Sequence, residues 1–168
     1  DLILVYRARR TEAQQAEEAF ELWRKNGARI WAYNKDALQE ENIKAILNKA
    51  QENGLFVKLI LHSLAKGNLK AMAPTSKEEN SHENYLKTDD FLLTLNAMAV
   101  NYYTWVSAVF SKRLLAPKAS FIALTSEGAR KAWRFYGAVS AAKAALEAIN
   151  RQLALELGAY GHRANILQ

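Results

Sequence analysis

The sequence has no cysteine and only three histidines. The first absence excludes a disulfide framework and any thiolate metal centre, and the second leaves little material for a site built on imidazoles. Proline occurs twice, at Pro74 and Pro117. There is no internal repeat, low-complexity stretch or interdomain linker. A secretory leader is not expected before Asp1, because the apolar run from Leu2 is short and has no basic start. Phe91 to Phe110 lacks any charge and is long enough to span a bilayer. It carries Thr94, Asn96, Asn101, Thr104 and Ser107, polar groups that are costly in lipid, so a soluble helix buried all round is expected and no membrane association.

What is present is globular: 168 residues, half of them hydrophobic and 24% charged, about one ordinary domain. Twenty-three basic against 17 acidic residues give +6 and a pI near 9.5, a balance that favours anionic partners. The basic residues are scattered among acidic ones rather than interleaved with aromatics on one stripe, so nucleic acid is not among those partners.

Hydrophobic periodicity orders the elements. Leu2 to Tyr6 predicts a strand; Thr11, with Gln14 as a capping box, opens a helix that Asn26-Gly27 ends. A second strand runs through Arg29 to Tyr33, a second helix from about Gln39 to Asn53-Gly54, and a third strand from Phe56 to Leu61. Residues 66 to 88, including Pro74 and His82, predict a long loop of the kind that often carries function. Thr88-Asp89-Asp90 caps the uncharged helix, which ends near Leu115 before Pro117. Ser120 to Thr125 is a fourth strand, Tyr136 to Leu157 a long helix closed by Gly158, and Arg163 to Leu167 a fifth strand. Strands alternating with helices imply an α/β fold, a doubly wound parallel sheet with helices on both faces.

Ligands of such sheets bind beyond the carboxyl ends of the strands. There the sequence places Arg7, Arg9 and Arg10, then Asp36 and Ala37, then His62-Ser63-Leu64-Ala65, then Thr125-Ser126. Clustered guanidinium groups suit a phosphate; they also suit a solvated helix start.

The sharpest pattern is Tyr136-Gly-Ala-Val-Ser-Ala-Ala-Lys143. Seven residues make almost two helical turns, so both side chains fall within about 20° of one face. A lysine near a phenol stabilises its developing negative charge and eases proton transfer. A partly buried Tyr beside a surface Lys would give the same spacing.

In this context the sequence resembles the short-chain dehydrogenase/reductase family over nearly its whole length. Its spacing is that of the enoyl-acyl-carrier-protein reductases, which place six residues between Tyr and Lys where most of the superfamily places three. Leu61-His62-Ser63-Leu64-Ala65, Lys143-Ala-Ala-Leu-Glu147 and Leu155-Glu-Leu-Gly158 are also similar to that branch. The resemblance implies a single-domain Rossmann-type oxidoreductase that reduces the 2,3 double bond of an enoyl thioester. Tyr136 would bind the thioester oxygen, Lys143 the nicotinamide ribose and Asp36 the adenine, Ser63, Leu64 and Ala65 would lie along the cofactor, and Ala37 and Thr125 would also contact it. The three arginines sit where the family separates NADPH from NADH, and no acid lies between Tyr6 and Thr11, so NADPH is expected rather than NADH. Many such reductases carry a second Tyr ten residues before the first; here Ser126 stands there and would orient substrate, completing a catalytic set of Ser126, Tyr136 and Lys143. Asn101 is near the place of a helical active-site Asn and equally reads as a satisfied core residue. His62 would pack beside the cofactor.

The implied partner is an acyl thioester, possibly on acyl carrier protein, in cytoplasmic fatty-acid synthesis. A homodimer or homotetramer is expected through helices 88–115 and 136–157. A carbonyl reductase of the same superfamily, and a non-catalytic dinucleotide sensor, remain as alternatives. Members run to about 250 residues, and no Gly-x-x-x-Gly-x-Gly stretch occurs. Residues 1–168 are therefore read as the central part of one reductase domain, without the first strand and its Gly-rich turn and without the C-terminal substrate region.

Overall fold

A computed structural model describes residues 1–73 and 85–168; Pro74, His82 and the middle of the anticipated 66–88 loop lie outside the described residues. The chain forms two compact units, Asp1–Asn48 and Lys49–Gln168. All strand pairing between named elements is parallel.

In the first unit, β1 (Leu2–Tyr6) pairs with β2 (Ile30–Asn34) in a register that sets Leu2 beside Ile30 and Tyr6 beside Asn34. The crossover is α1 (Arg10–Lys25), whose Phe20 is buried and meets the edge of the Tyr6 ring at 5.6 Å. This helix starts earlier than the Thr11–Gln14 box predicts. Arg9 takes the extended cap conformation, and the carboxylate of Glu12, three residues on, accepts from its backbone N–H at 3.1 Å. Gly27 ends the helix at φ +90°, a conformation open to glycine. Helix α2 (Glu40–Glu52), whose last residues from Lys49 are counted with the second unit, buries Ile43, Ile46, Leu47 and Ala50, the apolar face that the periodicity marks.

The second unit is a three-stranded sheet, β3 (Val57–His62), β4 (Leu115–Leu124) and β5 (Arg163–Leu167), with β4 central. Strand β4 begins five residues before the expected Ser120 and includes Pro117. The missing N–H of Pro117 is tolerated because the register with β3 shifts between Val57 and Leu59, and Lys58 donates to the Pro117 carbonyl at 2.7 Å.

The uncharged run is helical but not uniform. Helix α3 (Thr88–Leu95) passes into a π-helical turn (Asn96–Val100) and then α4 (Asn101–Ser111). Its cap is Lys87 rather than Thr88, with the Asp90 carboxylate accepting the Lys87 N–H at 2.9 Å. Nor is the run buried all round: Ala97, Ala99, Tyr102 and Val106 are buried, while Leu92, Val100 and Tyr103 are exposed.

Helix α5 (Gly137–Gly158) packs beside β5, α3 and the π turn, where Ala138 and Ala142 are fully buried. The helix runs through Gly158, and the chain turns at Gly161, at φ +78°. Tyr102, Val106, Phe121, Leu146 and Leu153 form the core between α4, α5 and β4. Helices α4 and α5 cover the sheet, yet Leu59 and Leu61 of β3 are exposed. No described helix is long and apolar enough to cross a membrane.

Candidate functional site

The second unit gathers the chemistry. His62 pairs in register with Ala123, so Ser63–Ala65 and Thr125–Ser126 follow the carboxyl ends of the adjacent strands β3 and β4. Strand β4 delivers Ser126, whose Oγ lies 3.2 Å from the Tyr136 hydroxyl and accepts from the Gly128 N–H at 3.2 Å. That second bond starts the 3-10 turn Glu127–Ala129.

Tyr136 stands at the N-cap of α5, its ring against Trp133 at 5.3 Å and over Gly128. A Cβ at residue 128 would lie 2.3 Å from a Tyr136 ring carbon, so only glycine lets the phenol settle there. The preceding Phe135 has φ +63°, a strained value for an aromatic residue, and such strain gathers at functional sites.

Lys143, two turns into α5, is buried, and its Nζ donates to the Leu124 carbonyl at 2.7 Å. An ammonium has three donors, so two are left for a ligand. Burial lowers its pKa from the ordinary value, which favours a ligand able to accept those donors.

Ser126, Tyr136 and Lys143 are thus brought together by β4 and the start of one helix. Thr125 is turned elsewhere: its hydroxyl donates to Glu147 Oε1 at 3.0 Å. Ser63 and Ala65 are exposed and Leu64 half-buried, in irregular chain whose backbone groups belong to no helix or strand. His62 is buried against the Tyr102 ring at 5.6 Å. Desolvation lowers its pKa to about 4, the Asn101 side chain pulls upward, and the Lys143 charge adds to the fall. It is a neutral ring at ordinary pH.

The first unit holds the other residues. Arg7 and Asp36 follow β1 and β2, and rather than facing a ligand separately they form an ion pair at 2.6 Å, Arg7 largely exposed. Asn34 fastens the same edge by accepting from the Ala8 N–H and donating to the Ala8 carbonyl. Arg9 and Arg10 are exposed at the N-terminus of α1, where the helix dipole adds to their positive charge; Ala37 is buried. Among the described residues there is no cluster that could hold a metal ion.

The family model described as enoyl-(acyl carrier protein) reductase matches residues 1–168. The chain belongs to that family. The enoyl-(acyl-carrier-protein) reductase (NADH) 1 of Rhizobium meliloti is 30% identical over 134 residues, covering 79% of this chain and 45% of that protein. The enoyl-(acyl-carrier-protein) reductase (NADH) structure from Aquifex aeolicus superposes with a TM-score of 0.76 at 22% identity, over 99% of this chain and 60% of that one. An enoyl-(acyl-carrier-protein) reductase from Anaplasma phagocytophilum in complex with NAD gives 0.74 at 21%, over 99% and 58%. At these identities the two structures speak for the fold alone, and it is the Rossmann-type α/β fold that the element order predicts. The chain spans about half the length of its curated relative.

The residues that would hold the nicotinamide end of a dinucleotide fit it chemically: a buried lysine with donors to spare, a phenol at the head of the same helix, and open backbone after two adjacent strands. Sequence reading missed Gly128, Trp133 and Glu147. Glu147 was accessible as the residue one turn beyond Lys143 on the same helix face; the approach of Tyr136 to Gly128 depends on how the 127–135 segment folds back, which no spacing rule conveys.

Proposed function

We propose that the intact protein reduces the 2,3 double bond of an enoyl thioester with a nicotinamide dinucleotide, and that residues 1–168 are the central part of its reductase domain. The observation that carries this reading is the Tyr136–Lys143 arrangement, a phenol at the head of α5 and a buried ammonium anchored to Leu124 two turns on. When bound, the dinucleotide supplies the hydride. Lys143 would hold its ribose, and Ser63, Leu64 and Ala65 its body. Tyr136 donates a hydrogen bond to the thioester oxygen and stabilises the negative charge that grows there as an enolate forms. Lys143 adds positive charge to the site, and Ser126 holds the phenol through their shared hydrogen bond.

For the reductant, the arginine run speaks for NADPH. Two observations favour NADH: Arg7 is engaged by Asp36, and the relatives above are named for NADH. NADH is therefore our first choice, with Arg9 and Arg10 the groups that would receive a 2′-phosphate. An acyl carrier protein as substrate bearer, fatty-acid synthesis in the cytoplasm, and assembly through the exposed faces of α3, α4 and α5 complete the proposal.

One observation favours a second reading. A serine hydroxyl lies 3.2 Å from the phenol, and if their mutual bond opened both O–H groups would be within reach of one substrate oxygen, an arrangement suited to a ketone. Oxidation of NADH and NADPH in the presence of crotonyl and acetoacetyl thioesters separates the two. Turnover of crotonyl substrate that Tyr136→Phe abolishes is expected; turnover of the keto substrate alone would establish a carbonyl reductase.

A further inference from the structure

We propose that Glu147 is a positioning residue for Ser126 and Tyr136, an inference that rests on the reading of those two groups as the reacting centre. Glu147 is four residues beyond Lys143 on α5 and so lies on the same face of that helix. Its side chain is 12% exposed, and its two oxygens reach different points of the chain. Oε1 accepts from the Thr125 hydroxyl at 3.0 Å, and Oε2 accepts from the Arg130 guanidinium at 3.2 Å.

Between those two points run Ser126, whose Oγ meets the Tyr136 hydroxyl, and Gly128, on which the Tyr136 ring rests. One carboxylate thus ties both ends of the 125–130 turn to the helix that begins at Tyr136 and carries Lys143. Three of the groups that must agree in position are referred to a single rigid element. Stability alone does not account for this arrangement. Arg130 is 79% exposed, and ion pairs so open to water contribute little, whereas a catalytic group displaced by about 1 Å can slow turnover by up to about a hundredfold.

The test compares Glu147→Ala, Glu147→Gln, Thr125→Val and the double variant Thr125→Val/Glu147→Ala in the intact protein, using the crotonyl thioester. Glu147→Ala lowers kcat by roughly tenfold or more with little change in the thioester KM. The double variant is no slower than Glu147→Ala, and Glu147→Gln, which keeps an acceptor for Thr125, recovers much of the loss. Hydrogen exchange gives a readout independent of turnover: the amides of Gly128, Ala129 and Arg130, bonded within the turn, exchange about tenfold faster in Glu147→Ala than in Glu147→Gln. Additive losses in kcat, or unchanged exchange across 128–130, overturn the proposal. If Glu147→Ala does not fold, Thr125→Val decides by the same two readouts, slower turnover with faster exchange supporting the tie and neither change refuting it. Tyr136→Phe that keeps full turnover would instead refute the reading of the site, while the exchange data still judge the tie itself.

Discussion

His62 shows how a residue set aside on sequence grounds acquires a measurable consequence from its surroundings. Its ring is buried at the end of β3, with Nε2 lacking a partner at hydrogen-bond distance among the described residues. Its pKa is near 4 in the folded chain against 6.5 for a solvated ring. A lowered folded value means that the unfolded chain binds the extra proton first. Stability is therefore intact above pH 6.5, falls as the pH drops toward 4, and levels off below. Between pH 7.5 and 4.5 this single group removes about 2 to 3 kcal/mol. Urea unfolding at those two pH values checks it: wild type should lose that much more than His62→Gln, and equal losses would show that the ring is solvated. For Tyr136 and Lys143 the seven-residue interval gave a shared helix face, but spacing alone did not set the pair apart from a chance Tyr and surface Lys; the resemblance of the surrounding residues did.

At the scale of elements, sequence periodicity located the described strands and most of the described helices to within about five residues, and the differences have particular causes. Thr11 lost the N-cap because Glu12 reaches back to Arg9. Pro117 entered a strand because the sheet shifts register around it. The π turn at Asn96–Val100 was invisible, since an uncharged apolar run does not distinguish i+4 from i+5 bonding. Directly after that turn, Tyr102 donates from its buried hydroxyl to Asn150 Oδ1 at 2.9 Å, linking α4 to α5 across 48 residues of sequence. Burial raises the phenol's pKa far above its usual value, so it remains a donor across the working pH range. Tyr102→Phe leaves the Asn150 side chain buried without this bond and should cost about 1 to 3 kcal/mol. The double variant Tyr102→Phe/Asn150→Leu, which removes both polar groups, should be less destabilised than the two single losses added together. A denaturation cycle of the four proteins measures that coupling, and strict additivity would mean that the bond contributes nothing.

Across the whole molecule the distribution of charge says more than its total. Residues 1–48 contain eight basic and eight acidic side chains, so the entire formal excess of +6 belongs to residues 49–168, the unit that carries Ser126, Tyr136 and Lys143. A net charge of one sign on a unit raises the encounter rate with a partner of opposite charge and adds little to the affinity of an uncharged one. If an acidic carrier protein delivers the substrate, kcat/KM for the carrier-bound enoyl thioester should fall severalfold between 20 mM and 300 mM salt, as the Debye length contracts from about 20 Å to about 6 Å. The same thioester on uncharged N-acetylcysteamine should show no comparable fall, because its approach feels no long-range field. The pair of substrates separates steering from any direct effect of salt on the site, which would slow both alike. A carrier-bound substrate whose kcat/KM ignores salt would leave the charge of residues 49–168 without a part in substrate delivery and would remove the electrostatic argument for an acidic partner.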